Sequence, residues 1–502
     1  MSRTLIQNIG ALYSGDINHP VLNADSLLIE DGKIAQIGVG LTAEDAQIID
    51  AQGTTVIPGL LDSHCHVVIG EWTPRQNALG YIRNYVRSGV TGLVSAGETH
   101  IPGKCKDAAG QKAMATLSFK TFNNVRPSGM KVYAGAYILQ QDATEEDFKE
   151  LGELGITHTG EIGLGSANRV HNTKHMIEWA HKYGIKVICH SGSTYLFGSA
   201  VMDPDTVIGL NPDVICHVTY ADLSAETIER FFRDTDSHIE FCRTQSPNLK
   251  NTVEVVEKAR ERHELNRLML GNDAPSGLGV FPLGIWEMVC ILSGTAGLEP
   301  AQAIACATGN TAEGIGLKDV GVIKPGNWAD LVICDAPVGS TAENAGASIA
   351  DGTIPGVSMV FIDGKLMHEG ADVNTATPKR SALHVQAGEG GKELKKGLRT
   401  NCGPIMTGDI QQPTARGEVI WVEDGTIRYI GDNKPEFEKE ADAILDAQGL
   451  FVSPSMIDAH CHMPMNDYLP QYKAVDVVEN YMGGGISSMI SQGPRMPGLP
   501  NS

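Results

Sequence analysis

Between residues 56 and about 290 the chain alternates short β-rich runs with helical segments. Such alternation is typical of parallel strands that are joined by crossover helices. We place eight runs, which is the number that closes a (β/α)8 barrel of the TIM type. The runs cover residues 60–66, 92–95, 131–137, 157–161, 186–190, 214–217, 238–243 and 268–273. The sequence therefore predicts an α/β fold with a barrel over residues 56–317.

The segments on either side of the barrel have a strand-and-turn texture instead. Asp31-Gly32 and Asp363-Gly364 each follow an apolar run and are typical of tight hairpin turns. We expect residues 1–55 and 318–385 to form one small β-sandwich domain, followed by a linker over residues 386–394.

The remaining residues, 395–502, repeat the start of the chain. His64 and His66 recur as His460 and His462, 396 residues later. The repeat reaches only the first two barrel strands, so we expect a truncated second copy that binds no metal, although its β-rich part can pack. A tandem fusion and a cut reading frame both explain it. The cut reading frame is favoured because a lone fragment of a closed barrel would expose strand edges, which native proteins usually protect.

Charge and cysteine usage limit the partners. A net charge of -21 disfavours nucleic acid and anionic membranes, and no run reaches the ~18 apolar residues of a membrane span. We expect a cytoplasmic protein with a small-molecule substrate. The 10 cysteines are scattered, which predicts reduced thiols. Strand alternation predicts that Cys65, Cys189 and Cys216, each beside a histidine, face away from any site.

A histidine pair ends the first barrel strand. Because the spacing of two puts His64 and His66 on one strand face, both imidazoles would be buried together, which is costly without a metal. Further ligand-type residues end later strands, where the active residues of such barrels lie. The predicted metal ligands are His64, His66, Glu161, His190, His217 and Asp273. They suit two divalent ions, either two Zn²⁺ or Zn²⁺ with Fe²⁺.

One of these ligands also has a predicted catalytic role. Asp273 ends the last strand and can carry a proton from an attacking water to a leaving nitrogen.

Together these motifs resemble the amidohydrolase superfamily over residues 1–385. The matching positions are His64-Cys65-His66, His190, His217, Asp273, residues 307–310 and residues 324–331. The resemblance implies cleavage of a C–N bond by metal-activated hydroxide, and a homotetramer. Many cyclic amidases of this superfamily bridge their metals with a carboxylated lysine, a place that Glu161 takes here.

Within the superfamily the chain is most similar to the enamidase group, on residues 73–76, 106–110, 126–127, 160–165 and 271–277. This resemblance implies opening of an enamide lactam such as 6-oxo-1,4,5,6-tetrahydronicotinate, with deamination to an aldehyde and ammonia. The alternatives are a cyclic amidase similar to dihydropyrimidinase or dihydroorotase, a heterocycle deaminase, and a non-catalytic barrel scaffold.

Three residues are candidates for substrate contacts. Arg75 and Arg243 carry guanidinium groups that suit a substrate carboxylate. Tyr220 brings a bulky phenol to the loop after His217, where enamidases are expected to have an Asn/Gly-rich loop. Such loops shape the pocket of a barrel enzyme.

Overall fold

The computed structural model describes residues 3–66, 74–98, 104–192, 199–218, 224–243, 248–274, 282–370, 376–385, 395–461, 478 and 481–491. The chain divides into two compact units, Met1–Gly388 and Glu389–Ser502, and each is described by itself. Among the described residues, no helix combines the length and the apolar character that crossing a bilayer would need.

The first unit begins with short strands. These are β1 (Arg3–Gln7), β2 (Ala11–Tyr13), β3 (Val21–Leu22), β4 (Ser26–Glu30), β5 (Lys33–Gly38), β6 (Gln47–Asp50) and β7 (Thr55–Pro58).

Strands and helices then alternate. They are β8 (Leu60–Cys65), α1 (Pro74–Arg87), β9 (Val90–Ser95), α2 (Ala108–Asn124), β10 (Lys131–Tyr133), α3 (Glu145–Leu154), α4 (Val170–Lys182), β11 (Ile188–Cys189), α5 (Pro204–Leu210), β12 (Val214–Ile215), α6 (Ala225–Asp234), β13 (His238–Cys242), α7 (Leu249–Glu261), β14 (Leu268–Gly271), α8 (Gly284–Gly294), α9 (Pro300–Cys306) and α10 (Gly309–Ile315). Several helices begin at a side-chain cap, because Asp107, Asp203 and Ser224 each accept a backbone N–H three residues later.

The unit ends with β15 (Leu331–Asp335), α11 (Ala345–Ala350), β16 (Gly356–Ile362), β17 (Lys365–Glu369) and β18 (Leu383–Val385). These strands join the first seven in a five-stranded sheet, β18-β6-β1-β4-β5, and a six-stranded sheet, β17-β16-β15-β7-β2-β3. Ile6, Leu27, Leu331 and Phe361 lie in one buried cluster that the two sheets share. Both ends of this unit therefore build one sandwich.

The other strands close a barrel. Regular ladders join β8-β9-β10 and β11-β12-β13-β14, all of them parallel. Single bridges complete the ring, namely Tyr137↔Thr159, His158↔Lys186 and Cys65↔Ala274. The predicted (β/α)8 barrel is confirmed, and its fourth crossing is an irregular segment around residues 158–162.

Some elements are shorter than the sequence predicts. The third strand stops at Tyr133 because Gly135 has a φ of 104°, which no strand residue adopts. After the last barrel strand, residues 299–317 hold two short helices, α9 and α10, because Thr308 is non-helical (φ -135°, ψ -89°) and the carbonyl of Ala307 accepts from Leu61. The broken helix brings the chain back against the first barrel strand.

One end of the barrel interior is apolar. Val94, Ile188, Val214, Cys216 and Met269 form a cluster with little exposure. Beneath the C-terminal ends of the strands this cluster excludes water, so that polar groups above it lie in a poorly solvated cavity.

The second unit repeats four strands of the five-stranded sheet in the first unit. Its elements are β19 (Lys396–Thr400), β20 (Ile405–Met406), β21 (Thr414–Ala415), β22 (Val419–Glu423), β23 (Thr426–Gly431), α12 (Pro435–Glu440), β24 (Ala443–Asp446), β25 (Met456–Cys461) and β26 (Ile486–Ser491). The sheet β23-β22-β19-β24 has the order and directions of β5-β4-β1-β6. The left-handed residues Asn8 and Gln52 recur as Asn401 and Gln448. Its β25 is mostly exposed, whereas the corresponding β8 is buried.

Candidate metal centre

Six ligand-type side chains meet at the C-terminal end of the barrel. Each one lies at or just beyond the end of a different strand crossing, except the pair from β8, and none is more than 8% exposed. They are His64, His66, Glu161, His190, His217 and Asp273. All six residues predicted as metal ligands are therefore brought together.

Glu161 lies between two groups of histidines. Its Oε2 is 3.4 Å from Nε2 of His64 and 3.9 Å from Nε2 of His66. Its Oε1 is 2.9 Å from Nε2 of His217 and 3.6 Å from Nδ1 of His190. Because each oxygen faces a different pair of imidazoles, the carboxylate has the placement of a bridge.

Asp273 completes the first group. Its Oδ1 is 3.1 Å from Nε2 of His66 and 3.6 Å from Nε2 of His64. The second group is tighter, since Nδ1 of His190 and Nε2 of His217 are 3.0 Å apart. Each group thus gathers imidazole and carboxylate atoms around one point.

These distances fit divalent ions. Metal–ligand bonds of ~2.1 Å at tetrahedral angles place neighbouring ligand atoms about 3.4 Å apart. Nε2 of His64 is buried and finds no hydrogen-bond partner in the part of the chain that the structure describes, an expensive state that a bound metal would relieve. The ligand atoms of His64, His66 and Asp273 lie within 4.8 Å of one another, as do those of His64, Glu161 and His217.

Neighbours set the orientation of the two β8 histidines. Nδ1 of His64 donates to Glu240 at 2.9 Å, and Nδ1 of His66 donates to the carbonyl of Gly97 at 3.2 Å. With Nδ1 so occupied, Nε2 of both rings points at the two carboxylates and is available to a metal.

The charges of the centre compensate one another. Burial opposes a charge on His64, but Glu161 and Glu240 raise its pKa well above the ordinary value. Burial likewise opposes a charge on Glu161, yet His64 and hydrogen bonds from His190 and His217 lower its pKa well below the ordinary value. The carboxylates therefore stay negative in a buried place, as ligands of divalent ions must.

Two of the six clustered residues have left-handed backbone. The φ of His217 is 38° and that of Asp273 is 55°, a conformation that costs a non-glycine residue roughly 1–3 kcal/mol.

The turn at His217 also explains why the prediction that Cys216 faces away from the site was wrong. Cys216 faces inward, with Sγ within 4.8 Å of the ligand atoms of His64 and Glu240, because the alternation of strand faces ends there. All ten cysteines are free thiols, as predicted.

Glu240 was not identified from the sequence. It lies on β13 with its side chain in the barrel and is 1% exposed. The signal was a single acidic residue in the apolar run Ile239-Glu240-Phe241-Cys242, at a strand position where a carboxylate needs a partner.

Lys104 was also not identified. Its Nζ donates to the carbonyl of Leu164 at 2.6 Å, three residues after Glu161, and no carboxylate of the described residues pairs with it. Burial lowers the pKa of Lys104, although the negative charge of Glu161 opposes the shift. It is thus a half-buried cation near the centre.

The predicted substrate contacts are placed differently. The guanidinium of Arg243 pairs with Glu287 of α8 and lines a cavity with Leu249 and Ile291, away from the six ligands. Its neighbour Phe241 packs in the core between barrel and helices, and Arg243 follows on that outer face. Tyr220 and the side chain of Arg75 lie outside the described residues.

Comparison with known proteins gives a consistent result. The Amidohydrolase family matches residues 55–367. An enamidase of Eubacterium barkeri is 44% identical over 387 residues, which are 76% of this chain and 99% of the relative. A crystal structure of enamidase covers 76% of this chain and 100% of its own, with a TM-score of 0.72 and 44% identity. An adenine deaminase of Deinococcus deserti is 25% identical over 64% of this chain and 55% of its own length.

Proposed function

The chain belongs to the amidohydrolase family, and from this premise we propose that it opens a cyclic enamide lactam such as 6-oxo-1,4,5,6-tetrahydronicotinate. The products would be an aldehyde and ammonia. The observation that carries the proposal is the bridging placement of Glu161 between two ligand groups, in a chain that spans 99% of an enamidase. The family acts on C–N bonds of small molecules and uses divalent metals.

Bound divalent ions would supply a Lewis acid for the lactam carbonyl and lower the pKa of water toward ~7. The proposed ligands are His64, His66, Glu161, His190, His217 and Asp273. Buried neutral imidazoles with anionic carboxylates suit Zn²⁺, or Zn²⁺ together with Fe²⁺. Elemental analysis of the purified protein would identify the ions.

Asp273 is the proposed proton carrier. Its Oδ1 lies at the centre, 3.1 Å from Nε2 of His66, where it can take a proton from the attacking water. Delivering that proton to the ring nitrogen lets the C–N bond break and releases an enamine. The enamine tautomerises to an imine, and a second water then gives the aldehyde and ammonia.

Lys104 is the proposed partner of the substrate carboxylate. Its side chain is half-buried and interacts electrostatically with Glu161. No carboxylate among the described residues pairs with it. A charged hydrogen bond in such a place is stronger than one in water. Arg243 fits this role less well, because Glu287 already holds its guanidinium.

Turnover of purified protein tests the proposal directly. Ammonia and an aldehyde should form from 6-oxo-1,4,5,6-tetrahydronicotinate, and hydantoin, dihydroorotate and adenine should react poorly. No ammonia from the first substrate with metals bound, or preferred turnover of another, would refute it. The proposed tetramer is checked separately by light scattering after gel filtration.

A further inference from the structure

Glu240 is not one of the six proposed ligands, but it accepts hydrogen bonds from one residue of each ligand group. Its Oε2 accepts from Nδ1 of His64 at 2.9 Å and from the backbone N–H of His217 at 3.4 Å. Its Oε1 accepts from the hydroxyl of Ser63, and Sγ of Cys242 lies 3.4 Å from Oε2. These hydrogen bonds join the carboxylate to two proposed ligands, to a residue next to one of them and to a residue of its own strand.

The arrangement needs two acceptor oxygens. A carboxylate only accepts hydrogen bonds, whereas a glutamine side chain in the same place would present one oxygen and one donor amide. Glu240 is 1% exposed, and each of its two oxygens accepts a hydrogen bond from a residue of β8.

The contact with His64 has a chemical consequence for the opposite ring atom. A carboxylate that accepts from Nδ1 keeps that proton in place and increases the basicity of Nε2. Nε2 of His64 is a buried atom with no hydrogen-bond partner among the described residues, and it faces Glu161 at 3.4 Å and Asp273 at 3.6 Å. Glu240 thus acts on the ring of a proposed ligand whose other nitrogen faces both carboxylates.

We propose that Glu240 is a positioning residue that holds His64 as an Nε2 ligand and fixes the backbone of His217, so that both metal positions depend on it. The inference rests on the proposed metal site. It assigns Glu240 no contact with substrate and no proton transfer.

Glu240→Gln is the decisive variant because it keeps the shape and removes the charge. We expect chelator-driven metal release at least ~10-fold faster than in the unmodified protein, a changed visible spectrum after Co²⁺ substitution, and a lower kcat at similar KM. Unchanged release and an unchanged Co²⁺ spectrum would overturn the proposal. Unmodified protein that binds no metal would instead refute the proposed metal site.

Two further variants make the result interpretable. Asp335→Asn is the matched control, since Asp335 is a buried carboxylate of the sandwich that pairs with Arg380 at 2.8 Å. It should leave metal release unchanged. Ser63→Ala removes one hydrogen bond to Glu240 and keeps the charge, so release should be faster by a smaller factor. If Glu240→Gln does not fold, unchanged release from Ser63→Ala overturns the proposal.

Discussion

Among single residues, Asp273 combines two proposed tasks, ligand and proton carrier. Asp273→Asn keeps an oxygen near His66 but cannot carry a proton, so we expect kcat to fall by about 10²–10⁴-fold. Steady-state kinetics together with metal analysis would check this. Near-normal kcat with both metals bound would contradict the role of proton carrier.

A second prediction for a single residue concerns Lys104. Lys104→Met should raise KM for a lactam with a carboxylate by roughly 10-fold or more and change kcat little, because a charged hydrogen bond contributes about 1.5–3 kcal/mol. A lactam without the carboxylate should show no such change. Lys112→Met serves as control, since Lys112 pairs with Asp147 and Glu150 on the helical surface. Equal effects on both lactams would exclude the proposed contact.

Residue type and position explain why the clustering of the six proposed ligands could be predicted. Histidine, glutamate and aspartate at strand ends stand out in an apolar context, and His64 and His66 share a face by spacing alone. Glu240 and Lys104 carry no such pattern, because their roles depend on what other elements place beside them. Only the folded barrel brings β13 next to β8 at Ser63.

Among the elements, β14 must pass very close to β8. A Cβ at Gly271 would lie 2.7 Å from Cβ of His64 and 2.8 Å from Oγ of Ser63. Gly271→Ala should therefore displace His64, weaken metal binding and cost about 1–3 kcal/mol in unfolding free energy. Metal titration and thermal unfolding measure both effects. Gly483→Ala, where nothing lies within 4 Å, should have neither effect.

Asp213 joins a helix to the barrel strands at their N-terminal ends. Its carboxylate accepts from His181 at 2.7 Å, Lys186 at 2.8 Å and the backbone of Val187 at 2.8 Å. Burial opposes the charge, but these hydrogen bonds lower the pKa of Asp213. A lowered pKa stabilises the folded state above the unfolded value of ~3.9, and this stabilisation is lost as the pH falls through the lower folded value.

Asp213→Asn should thus reduce stability at neutral pH by about 1–2 kcal/mol, a modest figure because Lys186 and His181 are partly exposed. The midpoint of thermal unfolding should drop by roughly 2–4 °C at pH 7. As the pH falls from about 3.9 through the lower folded pKa of Asp213, the two proteins should converge. A difference that persists in acid would point to packing instead of charge.

The elements show where prediction from sequence reaches its limit. Alternating texture located the barrel strands, yet the fourth crossing around Thr159 is held by single bridges. The inward side chain of Cys216 could not be foreseen either, since the left-handed turn at His217 is set by tertiary contacts.

For the whole molecule, all six proposed ligands lie in the first unit. In the second unit His460 is exposed, and His462 lies outside the described residues. A protein of residues 1–388 should keep the metal content and kcat of the full chain within about twofold, since one compact unit holds the complete centre. Loss of metal on truncation, or in His460→Ala, would contradict this independence.

The bridging placement of Glu161 has a consequence for how the centre is assembled. A bridging lysine has to be carboxylated by carbon dioxide before it can bind both metals, whereas a glutamate carries its carboxylate as soon as translation ends. With Glu161 as the proposed bridge, we expect reconstitution of the metal-free protein to need added metal ions and to be unaffected by dissolved bicarbonate. Maturation of the proposed centre would then be independent of the carbon dioxide in its surroundings.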